Sequence, residues 1–330
     1  MALVDQHNRV VNYIRLAVTD RCNLRCQYCM PEEGINYVDR SDLLTYEEME
    51  RLVTILAKEG VNKVRITGGE PFLRKGMMAF LERIKCISGI QKLHITTNGT
   101  LTNGLVEEMS RIGVAGVNLS LDSLDRDTFF KITRRDQFDE VMITMDQLLA
   151  SSIPTKINMV VMKDHNLDDI HRMIELTRTK RIGVRFIEEM PFNGTGTGYS
   201  GLEWNHQKIL DHIIGHYHHV EKIQDGPYST SSNYRIDGFK GSFGIIAAYS
   251  RTFCGTCNRI RITPTGILKT CLYDQGVFSI RDVIRNGADD RQILEAIQSA
   301  LNHKAINGVE AERSRSTSLP VKESMATIGG

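Results

Sequence analysis

Almost no net charge is carried by this 330-residue chain: 41 Lys and Arg against 40 Asp and Glu leave +1 with His neutral. So even a balance excludes a general binder of nucleic acid or of anionic membrane surfaces. No stretch approaches the roughly 18 consecutive apolar residues that a membrane span needs. The opening residues Met1-Ala2-Leu3-Val4-Asp5-Gln6-His7 lack the basic and then apolar regions of a secretory leader. They are also poor in Arg and carry an early Asp, unlike an organelle transit segment, so a cytoplasmic protein is expected. Cysteines are scarce and odd in number, seven in all, which does not suit the disulfide framework of a secreted domain. GxxxxGK[ST] occurs nowhere, so the phosphate-cradling loop and the phosphoryl-transfer machinery that accompanies it are missing.

What is present is the composition of a folded globular protein, 41% apolar and 25% charged. The length suggests about two domains or one large α/β barrel. Short apolar runs at 13–18, 63–67, 92–96, 117–121, 155–162 and 184–188 read as strands, with helical patterns between them. At 45–57, Thr45 and Glu48 form a capping box, and Met49, Leu52, Val53, Leu56 and Ala57 line one face. Helices are also expected over 138–149 and 168–177. The units repeat every 25 to 35 residues or so, as βαβ units do. Six of them predict a parallel sheet, in a partial barrel or a doubly wound open sheet, with ligands at the carboxyl ends of the strands. The Gly- and Thr-rich stretch from residue 191 marks a boundary. It gives a first unit at 1–190, a mixed connecting segment at 191–253 that closes the barrel, and a C-terminal segment at 254–330. Residues 303–324 are polar and are expected to hold little regular structure.

Six of the cysteines fall into two triplets, Cys22-x3-Cys26-x2-Cys29 and Cys254-x2-Cys257-x13-Cys271. Cys86 stands alone and reads as a small buried hydrophobe. Three thiolates within eight residues suit one soft metal centre. A structural zinc wants four ligands, and no further Cys or His follows the first triplet within thirty residues. A three-cysteine iron–sulfur cubane instead leaves one iron open to a small molecule. A zinc loop with a distant ligand, or unliganded thiols, are the blander readings. The second triplet lacks the paired CxxC of a zinc ribbon and fits a second open-iron cluster better.

Four cations interrupt apolar strands: Arg15, Arg65, Lys156 and Arg185. Alternation places each opposite its apolar neighbours, so with helices outside they point inward. There each needs an anion, either Glu70, Glu188, Glu189 or Asp122, or a polyanionic ligand suited to arginine forks. Arg259 and Arg261 alternate in the same way, or lie on a solvent face.

Cys22-Asn23-Leu24-Arg25-Cys26-Gln27-Tyr28-Cys29 and Gly68-Gly69-Glu70-Pro71 resemble the cluster signature and glycine-rich turn of the radical S-adenosylmethionine superfamily. With Thr96-Thr97-Asn98-Gly99, Asn118-Leu119-Ser120-Leu121-Asp122, the second triplet and the terminal Gly329-Gly330, the chain resembles the GTP 3′,8-cyclases, lyases that open molybdenum cofactor biosynthesis. The resemblance covers about residues 9–301 and the last few; 193–253 match loosely.

It implies a partial (βα)6 TIM-like barrel with a C-terminal extension and two [4Fe-4S] clusters, on Cys22, Cys26 and Cys29 and on Cys254, Cys257 and Cys271. S-adenosylmethionine would sit on the first, against Tyr28, Gly69, Ser120 and Met190. Glycines at 68 and 69 would let the backbone approach that ligand closely. GTP would sit at the second, held by Arg15, Arg65, Thr96, Lys156, Arg185, Arg259 and Arg261. A 5′-deoxyadenosyl radical would take the ribose 3′ hydrogen, and C3′ would attack guanine C8. An external electron donor, a downstream cyclic pyranopterin monophosphate synthase and a monomer or homodimer complete the expectation. A peptide-modifying relative with an auxiliary cluster and a non-catalytic zinc protein are the alternatives.

Overall fold

The computed structural model describes residues 2–195, 201–315 and 322–329. Gly330 and part of the Gly- and Thr-rich connection, Gly196, Thr197 and Gly198 included, lie outside them. Six strands alternate with helices through the first two-thirds of the chain: β1 (Tyr13–Ala17), β2 (Lys63–Thr67), β3 (Lys92–Thr97), β4 (Gly116–Ser120), β5 (Thr155–Val161) and β6 (Gly183–Glu188). The helices are α1 (Tyr46–Lys58), α2 (Met77–Cys86), α3 (Val106–Ile112), α4 (Arg126–Thr133), α5 (Phe138–Ala150) and α6 (Asp169–Thr179). The Thr45–Glu48 capping box forms as its spacing requires, each side chain bonding the other's backbone amide.

All six strands pair in parallel and in sequence order, as right-handed βαβ crossovers demand. Each sends its apolar set outward under the helices: Ile14 and Leu16, Val64 and Ile66, Leu93 and Ile95, Ile157 and Met159, Val184 and Phe186 are all fully buried.

After β6 come α7 (His206–His216), β7 (Val220–Lys222), β8 (Ser232–Ile236), β9 (Ser242–Ile246), β10 (Arg259–Ile262), β11 (Ile267–Lys269) and β12 (Phe278–Ser279). Helices α8 (Ile280–Arg285), α9 (Asp290–Leu301), α10 (Gly308–Arg313) and α11 (Met325–Ile328) end the chain. β9 joins β6 in parallel and β10 joins β1 in parallel, so eight parallel strands stand side by side. The region expected to close the barrel extends the sheet instead. β7 and β12 are its two unpaired edges among the described residues.

Two further expectations give way. Residues 303–324 contain α10, started by the Asn307 side chain, which accepts from the amides of Val309 and Glu310, and anchored by Glu312 against Arg251 at 2.6 Å. Polar composition hid it because its contacts are ion pairs with a distant loop. Cys86, the last residue of α2, is exposed rather than buried, because the apolar stripe of that helix runs through Met77, Phe80, Leu81 and Ile84.

Candidate functional site

Strand register builds the site. Arg15 pairs with Arg65 on one side and Arg261 on the other, Tyr13 pairs with Arg259 and Lys63, and Asn158 pairs with Arg185. In-register parallel partners share a face. These side chains therefore converge with Thr96, Asn118, Ser120 and Lys156 on one cavity of about 730 Å³, within the usual range of small-molecule sites. All six clustered cysteines line the same cavity, as do Tyr28, Gly69 and Met190.

The first triplet lies in the loop after β1. Cys26 and Cys29 face each other across a turn closed by the Cys29 amide on the Cys26 carbonyl, 2.9 Å. Asn98 reaches over from the end of β3, donating to Asn23 Oδ1 at 3.0 Å and to Cys22 Sγ at 3.7 Å. Burial pushes the Cys22 thiol up to about 11, the Cys29 thiol up to about 12 and the Cys26 thiol well up. Tyr28 donates to Asp122 at 2.8 Å, and Asp122 also accepts from the Val160 amide at 2.8 Å.

The glycine turn does something other than expected. The Gly69 amide donates to the Thr19 carbonyl and the Glu70 amide to the Arg21 carbonyl, both at 2.8 Å. A Cβ on Gly69 would lie 2.3 Å from the Arg21 oxygen, and one on Gly68, whose φ is +151°, 2.5 Å from the Thr19 oxygen. The immediate reason for glycine is thus the backbone of the cysteine loop, which the turn carries on its surface. Glu70, wholly buried, ties this turn to the end of β3. It accepts from Phe72 N, Thr97 Oγ1 and Asn98 N, and burial pushes its carboxyl up to about 7 against the pull of those bonds.

The second triplet sits in a different field. Cys257 follows the short 3-10 turn Cys254–Thr256 before β10, and Cys271 follows β11. Burial raises the Cys257 thiol, but Arg259 and Lys304 outweigh it and pull the value down to about 6. Asp274 fixes the Cys271 end by accepting from the amides of Thr270 and Cys271 at 2.8 Å. Among the described residues no three His, Cys, Asp or Glu side chains converge tightly enough for one metal ion. A tetrahedral zinc, with bonds of about 2.3 Å to sulfur, requires such convergence, whereas a cubane takes each thiolate on a separate iron.

Three of the carboxylates that stood as the alternative are engaged elsewhere: Glu188 accepts from Tyr249 N, Ser250 N and His206 N, and Glu70 and Asp122 bind the donors given above, with no ion pair from these three to an arginine or lysine among the described residues. The charges acting most on Lys156 and Arg185 are other cations. Lys156 is held down to about 8 by burial and then by Arg185, Arg65 and Lys63, and Arg185 to about 10 by burial and Arg65. Burial and Arg259 hold Arg261 down to about 10. Arg65 donates to Tyr13 Oη at 2.7 Å and to Thr96 Oγ1 at 3.2 Å. Burial raises the Tyr13 hydroxyl, but Arg65, Arg15 and Lys63 together outweigh it and pull the value down to about 7. Arg261 donates to the Gly329 carbonyl at 2.7 Å, which brings the C-terminal segment to the cavity rim. Met190 both lines the cavity and packs against Phe192, Tyr273, Ala311 and Ile328, so its apolar packing and its place in the site coexist.

Sequence reasoning missed Tyr13, Lys63, Asn118 and Asn158 on the cavity wall. For all four the signal was available, since each is two residues along the same strand from a residue already singled out. It also missed Lys304, which no pattern in a polar stretch distinguishes.

Residues 16–177 match the Radical SAM superfamily and residues 182–308 match Molybdenum Cofactor Synthesis C. The chain is 40% identical to the GTP 3′,8-cyclase of Geobacter sulfurreducens over the full length of both. It is 39% identical to molybdenum cofactor biosynthesis protein moc-5 of Caenorhabditis elegans, covering 99% of this chain and 54% of that protein. It thus spans about half the length of the animal relatives it matches. Among solved structures, Streptococcus suis SuiB superposes with a TM-score of 0.60 at 17% identity, over 89% of this chain and 69% of that one. This last likeness is one of fold.

Proposed function

The chain belongs to the GTP 3′,8-cyclase family of the radical S-adenosylmethionine superfamily, and from that membership we propose that it converts GTP to 3′,8-cyclo-7,8-dihydroguanosine 5′-triphosphate, the first step of molybdenum cofactor biosynthesis. What supports the reading is one observation above all: two cysteine triplets and a wall of cations line a single cavity.

The donor sets fit the groups the family uses. Cys22, Cys26 and Cys29 would hold one [4Fe-4S] cluster with S-adenosylmethionine, which together supply a 5′-deoxyadenosyl radical on one-electron reduction. Cys254, Cys257 and Cys271 would hold a second cluster, which would supply a binding point for the guanine end of the nucleotide.

The chain's own residues do the rest. Gly69, Tyr28, Ser120 and Met190 hold S-adenosylmethionine against the first triplet. Arg15, Arg65, Lys156, Arg185, Arg259 and Arg261, with Thr96, take the triphosphate, whose oxygens suit arginine forks and a lysine point charge. With the nucleotide fixed at both ends, C3′ is confined near the first triplet and C8 near C3′, and this positioning is the main contribution of the protein. The apolar surfaces of Met190, Leu24 and Ile187 keep water and stray hydrogen donors from the reacting carbons. An external reductant supplies electrons, cyclic pyranopterin monophosphate synthase consumes the product, and the chain acts in the cytoplasm as a monomer or homodimer.

Anaerobic reconstitution with iron and sulfide, followed by reductant, S-adenosylmethionine and GTP, tests this. About eight irons per chain and formation of the cyclic nucleotide are expected. Replacing Cys254, Cys257 or Cys271 with Ser should spare adenosyl radical formation and abolish cyclisation. Full turnover by such a variant with a single cluster would sink the substrate role of the second.

A further inference from the structure

Lys304 is a lysine with almost no exposure, 2%, and no ion pair to a carboxylate among the described residues. Its ammonium lies inside the C-terminal cysteine centre. It donates to the carbonyls of Arg259 at 2.7 Å and Thr270 at 2.5 Å, and its third donor faces Cys257 Sγ at 3.9 Å. An ammonium has three donors, and all three are accounted for. Arg259 lies two residues past Cys257, and Thr270 immediately precedes Cys271. One cation therefore links the two segments that carry these cysteines.

A buried cation without an anionic partner is costly, and neither carbonyl supplies a formal charge. Among the described residues, sulfur is the candidate anion in contact, Cys257 Sγ at 3.9 Å. The placement of the lysine is itself tightly held. Its own carbonyl accepts from Gln6 Nε2 at 2.9 Å and faces His7 Nε2 at 3.1 Å. Arg9, paired with buried Asp5 at 2.7 Å, donates to the carbonyls of Ala305, Ile306 and Cys254. Residues 5–9 thus fasten the segment that carries Lys304 to the loop that carries Cys254. The N-terminal triplet has no counterpart of this arrangement. Glu70 acts on Cys22 and Asp122 on Cys26, with Arg25 also beside Cys22.

We infer that Lys304 is the fixed counter-charge of the Cys254–Cys257–Cys271 centre, a positioning residue that joins the two segments carrying these cysteines and raises the reduction potential of the iron–sulfur group bound there. This rests on the proposed second cluster. The physical basis is that net charge and hydrogen bonds at the sulfurs set such potentials, and that partners behind the ligands fix their orientation. A positive charge favours the reduced state, which carries one more electron.

The test uses the full chain with Cys22, Cys26 and Cys29 replaced by Ala, so that only the C-terminal centre loads. Lys304→Met and Lys304→Gln are compared with this parent by redox titration followed by electron paramagnetic resonance. At the parent's midpoint, where half the centre is reduced, less than about a tenth should be reduced in either variant, a shift of about 59 mV for one electron. An unchanged midpoint in an iron-loaded variant overturns the inference. Loss of iron from both variants with the circular dichroism intact supports it, because Gln keeps donors for the carbonyls and lacks only the charge. A parent that binds no iron refutes the second cluster itself, a result separate from any behaviour of Lys304.

Discussion

The carboxylate of Glu70 accepts a 2.7 Å hydrogen bond from the backbone amide of Asn98, joining the turn after β2 to the turn after β3. Asn98 in turn contacts Cys22 and Asn23. Three loops, each at the carboxyl end of a strand, are thereby locked into one support for the first cysteine triplet, and the link between them is a single buried side chain.

Glu70→Ala leaves the Phe72 and Asn98 amides and the Thr97 hydroxyl without their acceptor in a dry site. Each orphaned donor costs on the order of 1–3 kcal/mol, so a total loss of about 3 kcal/mol or more is expected in urea unfolding. The variant should also load less iron at the N-terminal site while the C-terminal site is unaffected. Equal loading at both sites would show that the support is not specific.

Gly69→Ala places a methyl group against the Arg21 carbonyl, which is backbone and cannot swing away. Overpacking of this kind costs about 1–3 kcal/mol, and relief comes only by moving the cysteine loop. The expected outcome is a lower melting temperature together with weakened S-adenosylmethionine binding by equilibrium dialysis. Unchanged binding would mean that the loop relaxes without disturbing its thiols.

Much of this was legible in the sequence. The six expected strands form with ends shifted by a residue or so, because period-two alternation under a helical layer is a strong pattern. The inward direction of Arg15, Arg65, Lys156 and Arg185 followed from the same parity. What the sequence did not disclose depends on register between segments far apart in the chain. Nothing local says that Arg259 and Arg261 would stand beside Tyr13 and Arg15, making β10 a seventh neighbour of the parallel set and β9 an eighth. Nor does local pattern reveal α10, held by the Arg251–Glu312 pair, or the burial of Lys304 under the second triplet. The glycines of the turn after β2 were marked for close approach to a ligand; what stands nearest to them in the fold is the protein's own backbone, at Thr19 and Arg21.

Arg185 offers a test of whether the cavity cations serve a phosphate-bearing ligand. Its Nε has no hydrogen-bond partner, and its strongest charged neighbour is Arg65. Arg185→Ala should therefore leave the ligand-free protein no less stable, and up to about 1 kcal/mol more stable. It should weaken GTP binding at least about tenfold, the worth of a lost charge-assisted contact. Guanosine, which lacks the phosphates, should bind as before. Parallel losses for both ligands would place Arg185 away from the triphosphate.

Lys156 makes the site sensitive to pH in a direction that can be worked out. Burial and the neighbouring cations Arg185, Arg65 and Lys63 hold its ammonium down to about 8. In the free protein it is charged at pH 7 and largely neutral by pH 9. A bound triphosphate favours the charged form and raises the value, so binding takes up a proton once the pH exceeds about 8. By linkage, affinity then falls with rising pH, approaching tenfold per unit above 8 until the raised value of the complex is reached. Guanine also titrates in this range, so the informative quantity is the ratio of wild-type to Lys156→Met affinity, measured calorimetrically from pH 7 to 10. That ratio should be large at pH 7 and shrink steadily above pH 8. A ratio that stays constant across the range would show that the charge of Lys156 plays no part in holding the nucleotide.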